Sequence, residues 1–146
     1  MTAGRYVQRS NMAPWIGTAE DTSKDALDYA DMRRFMAEWR RVIPHYWGDF
    51  YPLTLYSLEE NVWMAWQFDG PEPGTGIVQA FRRKKCEEAA QVYKLHGLDP
   101  KAEYNVEDLD AGKPEKLSGA KLMDEGLKVG IAERAGAAIV VYRKAQ

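Results

Sequence analysis

The chain has 146 residues, with 20 Lys and Arg against 22 Asp and Glu, so it is long enough for one domain with its own core and too evenly charged to offer a basic face to nucleic acid or anionic lipid. Its single cysteine, Cys86, excludes an internal disulfide framework and points to a reducing compartment. No apolar run reaches the roughly 18 residues of a membrane span, and the opening MTAGRYVQRSNMAPW lacks the apolar stretch of a signal peptide, so a soluble, cytoplasmic protein is expected.

Residues 1–25 read as irregular, because Gly4, Pro14, Gly17 and the polar run Thr18–Asp25 break any period. From there the pattern turns helical. Met32, Phe35, Met36, Trp39, Val42 and Ile43 recur on one face of a helix at about 26–43, while Arg33, Arg34, Glu38, Arg40 and Arg41 fall mostly off it. Asp25 or Asp28 supplies a cap, and Pro44 marks the stop.

After Gly48 the hydrophobic period shortens to two. Val62, Met64, Trp66 and Phe68 alternate with Trp63, Ala65 and Gln67, which predicts a strand at Asn61–Phe68. Asp69–Gly76 reads as a long hairpin loop leading to a second strand at Ile77–Arg83. Further strands are expected at Gln91–His96, Glu103–Asp108, Leu127–Ala132 and Ala137–Arg143, separated by glycine-rich turns. A short helix at Gly119–Glu125 is expected between Ser118 as its cap and Gly126 as its end. The fold class predicted is mainly β: an antiparallel β-sandwich preceded by one long α-helix.

Few residues suggest chemistry. Glu59-Glu60, Glu72, Glu87-Glu88, Asp108, Asp110 and Asp124-Glu125 make carboxylate pairs on paper, but they fall in turns and solvated faces, where no apolar pocket raises a pKa. His45 and His96 are the only histidines, and no HExxH or CxxC spacing accompanies them, so no metal and no cofactor is expected. His45 follows the helix stop and reads as a cap or an interface group; Cys86 reads as an exposed loop thiol without a partner to activate it. Gly70–Gly76 lacks the spacing of a phosphate loop and joins two strands, so it is a hairpin connection.

Two stretches carry a resemblance. One is Glu38-Trp-Arg-Arg-Val-Ile-Pro-His-Tyr-Trp-Gly-Asp-Phe-Tyr-Pro-Leu-Thr54 with Leu55-Tyr-Ser57; the other is Val62-Trp-Met-Ala-Trp-Gln-Phe68 followed by Gly76-Ile-Val-Gln-Ala-Phe-Arg-Arg83. They resemble the end of the catalytic barrel and the C-terminal β-domain of α-galactosidase-like (melibiase) enzymes of glycoside hydrolase family 36. Leu95–Pro100, Tyr104–Asp110 and Ser118–Met123 are similar to the tail of the same domain, and Arg9–Pro14 more weakly to the last barrel strand and loop. Leu55 replaces a usual proline, and Lys84-Lys-Cys-Glu-Glu88 is unlike the expected loop.

The resemblance implies residues 1–50 as a remnant of the barrel end and 51–146 as the C-terminal sandwich. It also implies a retaining hydrolase whose two aspartates lie upstream of everything matched here, and a (β/α)8 barrel needs about 250 residues by itself. No catalytic residue is therefore expected, and the leading expectation is a structural or accessory module. The alternatives are a small carbohydrate-binding protein and an inert fragment of a full α-galactosidase. The aromatics of the junction, with Trp47, Tyr51, Tyr56 and Trp63 as the carbohydrate-binding or interface candidates, serve either packing or sugar stacking. Trp63 and Trp66 must face opposite sides of one strand, one in the core and one outside. The apolar helix face needs a cover, either the chain's own sandwich or a second copy, with a homodimer through the helix or the junction aromatics slightly favoured.

Overall fold

A computed structural model describes residues 4–15 and 27–146. The elements run α1 (Arg5–Ser10), α2 (Tyr29–Val42), a 3-10 turn (Ile43–Trp47), β1 (Asp49–Pro52), β2 (Trp63–Gly70), β3 (Thr75–Arg82), β4 (Ala90–Tyr93), β5 (Glu103–Asp108), β6 (Glu115–Ser118), α3 (Gly119–Asp124), β7 (Leu127–Gly130) and β8 (Gly136–Lys144). Six strands form one sheet in the order β1-β2-β3-β8-β5-β6, and β4 pairs with β7 in a second. Every pairing is antiparallel, as the short strands and turns predict.

The register sorts the large sheet into two faces. Opposite pairs such as Ala65 with Ala80 and Val78 with Val140 put one set of side chains on the face covered by β4, β7 and α3. There Trp63, Val78, Val140 and Tyr142 pack with Tyr93, Leu95, Leu122 and Val129. On the other face Phe68, Ile77, Ile139 and Val141 meet Met12, Phe35, Trp39, Val42 and Tyr46. Helices and small sheet thus sandwich the large sheet between them, and both sets of alternating residues are drawn in.

The long helix forms where its period places it. Asp28 accepts the Asp31 backbone N–H at 2.9 Å as its cap, and Arg40 and Arg41 occupy the last turn, where cations suit the helix dipole. Its apolar face lies on the chain's own sheet, with the Trp39 indole N–H donating to the Ala13 carbonyl at 3.0 Å. That cover was the ground for expecting a second copy against the helix; the sheet supplies it within one chain. Ser118 caps α3 through the Lys121 N–H, and Gly126 closes it at a φ of +96°, where a side chain would be strained.

Four expectations need correction. Arg5–Ser10 is helical, not irregular: fewer than two turns carry no readable period, and the helix is held by the buried Arg9. Residues 1–3 and 16–26, including the alternative cap Asp25, lie outside the described residues. The edge strands β1 and β6 were not expected, since each has four residues and no apolar alternation. The β2–β3 connection is a tight turn over Pro71–Gly74, closed by the Gly74 N–H on the Pro71 carbonyl at 3.2 Å, so both strands extend into the predicted loop. Cys86 is buried, not an exposed thiol, because the loop after β3 folds inward around Arg82.

Candidate functional site

Charged groups inside the fold come first, since burial is what alters their chemistry. Arg9 is the most enclosed. Its Nε and Nη2 donate to both oxygens of Glu38 at 2.8 Å, Nη1 and Nη2 donate to Asp110 at 2.7 and 3.0 Å, and Nη1 reaches the Ala137 carbonyl at 2.7 Å. All five donors are used. Burial pulls the guanidinium pKa down, but the bonds from Glu38 and Asp110 outweigh it and hold the group above its ordinary value. Arg82 plays a similar part with carbonyls alone, donating to Cys86, Glu87, Ile131 and Ala132 and so tying the two loops at that end of the sheet.

Among the described residues the one acidic side chain buried in the fold is Asp69, 2% exposed. It continues the inward series Trp63, Ala65, Gln67 along β2. Tyr142 donates to its Oδ1 at 2.6 Å and accepts from Gln67 Nε2 at 2.8 Å, and Gln67 binds both backbone groups of His96. Oδ2 has no partner. Burial raises the Asp69 pKa, the Tyr142 bond opposes this, and nearby Asp49 adds to it. The sequence alone does not single out Asp69, which opens the predicted hairpin loop. The signal was its place in the period of β2, readable only once the Trp63 face is known to be the inner one.

Of the carboxylate pairs, Glu60 and Asp108 are partly exposed and the rest lie at the surface. Glu59, Glu72, Glu87, Glu88, Asp110, Asp124 and Glu125 are exposed. Glu60 is held down to about 2 by Lys84 and Lys85, a surface cluster of opposite charges. Burial, reinforced by Glu88, pushes the Cys86 thiol up, away from the reactive thiolate. Among the described residues no group of three or more His, Cys, Asp or Glu is placed to hold a metal ion, and no helix is long and apolar enough to cross a membrane.

The four aromatic candidates do not converge. Trp47, at the end of the 3-10 turn, is 79% exposed, and Tyr56, between β1 and β2, is 80% exposed. Tyr51 stacks on His96 with centroids 5.0 Å apart. Trp63 is 5% exposed and donates to the Glu88 carbonyl at 3.0 Å, so it is a core residue with no face free for a sugar or a partner. Its partner Trp66 faces the helix layer and donates to Gln79 at 2.8 Å, so neither tryptophan of this strand lies on an open surface. Trp63 starts β2 and Trp47 adjoins its far end, which separates them by about 20 Å along the strand. What does surround Trp47 is polar: His45, Asp49, Glu72 and Thr75 line the same cleft. From the sequence His45 reads as a cap or interface group and Glu72 as a turn residue; only folding brings the 3-10 turn against the β2–β3 turn.

No curated protein sequence matches the chain. Among solved structures it is similar in fold to the α-galactosidase from Lactobacillus brevis, with a TM-score of 0.67 and 18% identity over 86% of this chain and 18% of that one. The family 36 α-galactosidase AgaA from Geobacillus stearothermophilus gives 0.66 and 22% identity over 85% of this chain and 17% of that one. The galactosidase domain of the α-galactosidase-sucrose kinase AgaSK gives 0.65 and 21% over 83% and 17%. The chain therefore spans under a fifth of each of these proteins. Residues 63–142, from the head of β2 to near the end of β8, match the glycosyl hydrolase family 36 C-terminal domain, and the chain belongs to that domain family.

Proposed function

We propose that this chain is a non-catalytic β-sandwich module of an α-galactosidase-like glycoside hydrolase, with a structural or accessory role. The observation that carries the proposal is the coincidence of the family match with the sandwich itself, from β2 to β8. The chemistry of its carboxylates agrees: Asp69 is walled in beneath Tyr142 and Gln67, and a retaining pair needs two carboxyls about 5–5.5 Å apart across an open sugar site. Leu55, Tyr56 and Leu58, exposed within four positions of one loop, form the apolar contact for the catalytic barrel, with residues 1–50 as the end of that barrel and 51–146 as the sandwich. A cytoplasmic location suits the single reduced cysteine.

The test is direct. Purified chain is incubated with chromogenic α- and β-linked galactosides and glucosides, and no turnover is expected. Turnover abolished by replacing one carboxylate, Asp69 or any other, would overturn the proposal.

A further inference from the structure

The 3-10 turn, the head of β1 and the β2–β3 turn enclose an open cleft of about 320 Å³. Its walls are fixed by close packing. A Cβ on Gly48 would meet the Asp69 carbonyl oxygen at 2.4 Å, so the backbone between Trp47 and Asp49 lies directly against β2. Across the cleft, Pro71 and Pro73 restrict the backbone of the turn. The cleft is thus preformed, and its volume falls at the lower end of the roughly 300–1,000 Å³ of small-molecule sites.

Its chemistry is specific in kind. The indole of Trp47 stands at the rim almost wholly in water, a flat apolar face with no ring packed on it among the described residues. Asp49 and Glu72 add two exposed carboxylates, which accept hydrogen bonds and donate none. Thr75 contributes a hydroxyl. Burial, and then Arg143, push His45 below its ordinary value, so its neutral ring presents one donor and one acceptor near pH 7.

We propose that this cleft is a binding subsite for a neutral pyranose, stacked by its C–H face on Trp47 and donating its hydroxyls to Asp49 and Glu72. Two carboxylates call for a ligand rich in donors and repel an anion. The indole calls for a flat apolar face. A pyranose carries both on one small ring. A quaternary ammonium also suits carboxylates and an indole, but such ligands are held by several converging rings, and here one indole lines the cleft.

The experiment uses the whole chain labelled with 5-fluorotryptophan, which gives one fluorine signal for each of its five tryptophans. The Trp47 signal is assigned by its loss in Trp47→Phe. Methyl α-galactoside, methyl α-glucoside, choline and inorganic phosphate are each titrated to about 100 mM, enough to saturate a millimolar site. A saturable shift of the Trp47 signal with at least one pyranoside is expected. Trp47→Ala should weaken binding of that sugar, measured by calorimetry, by about tenfold or more, a loss of about 1.4 kcal/mol. Trp15→Ala, which removes another exposed tryptophan, should leave it unchanged. Both residues are solvent-exposed, and far-UV circular dichroism checks that the variants fold. A response to choline and none to the pyranosides, no saturable shift with any sugar, or sugar binding unaltered in Trp47→Ala would each overturn the proposal.

Discussion

Arg9→Met is the sharpest probe of how the helical layer is attached. The guanidinium has no exposed side-chain surface, while its partners Glu38 and Asp110 keep 17% and 35% of theirs. Replacing it leaves two carboxylates facing a methionine and the Ala137 carbonyl without its donor. Removing one member of a buried ion pair costs about 3–5 kcal/mol, and the partial exposure of both carboxylates brings the expectation down to about 3 kcal/mol. For a chain of this size that lowers the melting temperature by roughly 6–12 °C. Urea and thermal unfolding followed by near-UV circular dichroism give the number. Most of the loss comes from charges left without a partner, so Arg9→Met combined with Glu38→Gln and Asp110→Asn should regain a substantial part of it. A single variant costing less than about 1 kcal/mol, or a triple variant no more stable than the single one, would refute the reasoning.

Two further perturbations test separate layers. Trp39→Ala should cost about 2–3 kcal/mol in urea unfolding, less than a fully buried aromatic because Trp39 is partly exposed, whereas Arg40→Ala on the outer face should stay within about 0.5 kcal/mol of the parent. Asp69→Asn tests the inner face through pH: the folded carboxyl titrates above its unfolded value, so the folded chain holds its proton longer and the parent loses stability as pH rises from the ordinary carboxylate range through the folded pKa. The stability of Asp69→Asn relative to the parent should therefore climb with pH over that window and then level, and a flat difference would contradict the burial of an ionisable Asp69.

The parts of this fold legible in the sequence are those where one face is apolar and long enough to show a period. The face from Met32 to Ile43 predicted its helix and, through Trp39 and Val42, the surface that is covered. The central strands were equally clear, because β2, β3 and β8 run eight or nine residues with strong alternation or continuous apolar stretches. Edges were not, since β1 and β6 have only four residues each, too few to show a period, and short edge strands also resist pairing with another chain. Burial of single polar groups was invisible. Arg9 bonds at separations of 29, 101 and 128 residues, Arg82 reaches Ile131 and Ala132 across 49 and 50, and Asp69 shows only its place in the period of β2. The cleft at Trp47 was missed for the same reason, Glu72 and Thr75 reaching it only through the β1–β2 pairing.

The two covered faces of the sheet bear on where this module ends. The family match begins at residue 63, yet Ile77 and Ile139 are wholly buried, under side chains contributed by residues 12, 35, 39, 42 and 46. Apolar surface of that kind is worth about 25 cal/mol for each Å² kept from water, and a sandwich without the upstream helix would present it bare. Tyr46 reinforces the attachment by donating to Gln79 at 3.2 Å and meeting the Phe68 ring edge-on at 5.0 Å. The proposed barrel end, with its helix and 3-10 turn, thus shares one core with the sandwich. Cutting the chain between residues 50 and 51 would bare that face of the sheet and divide β1, so the two parts are expected to fold together.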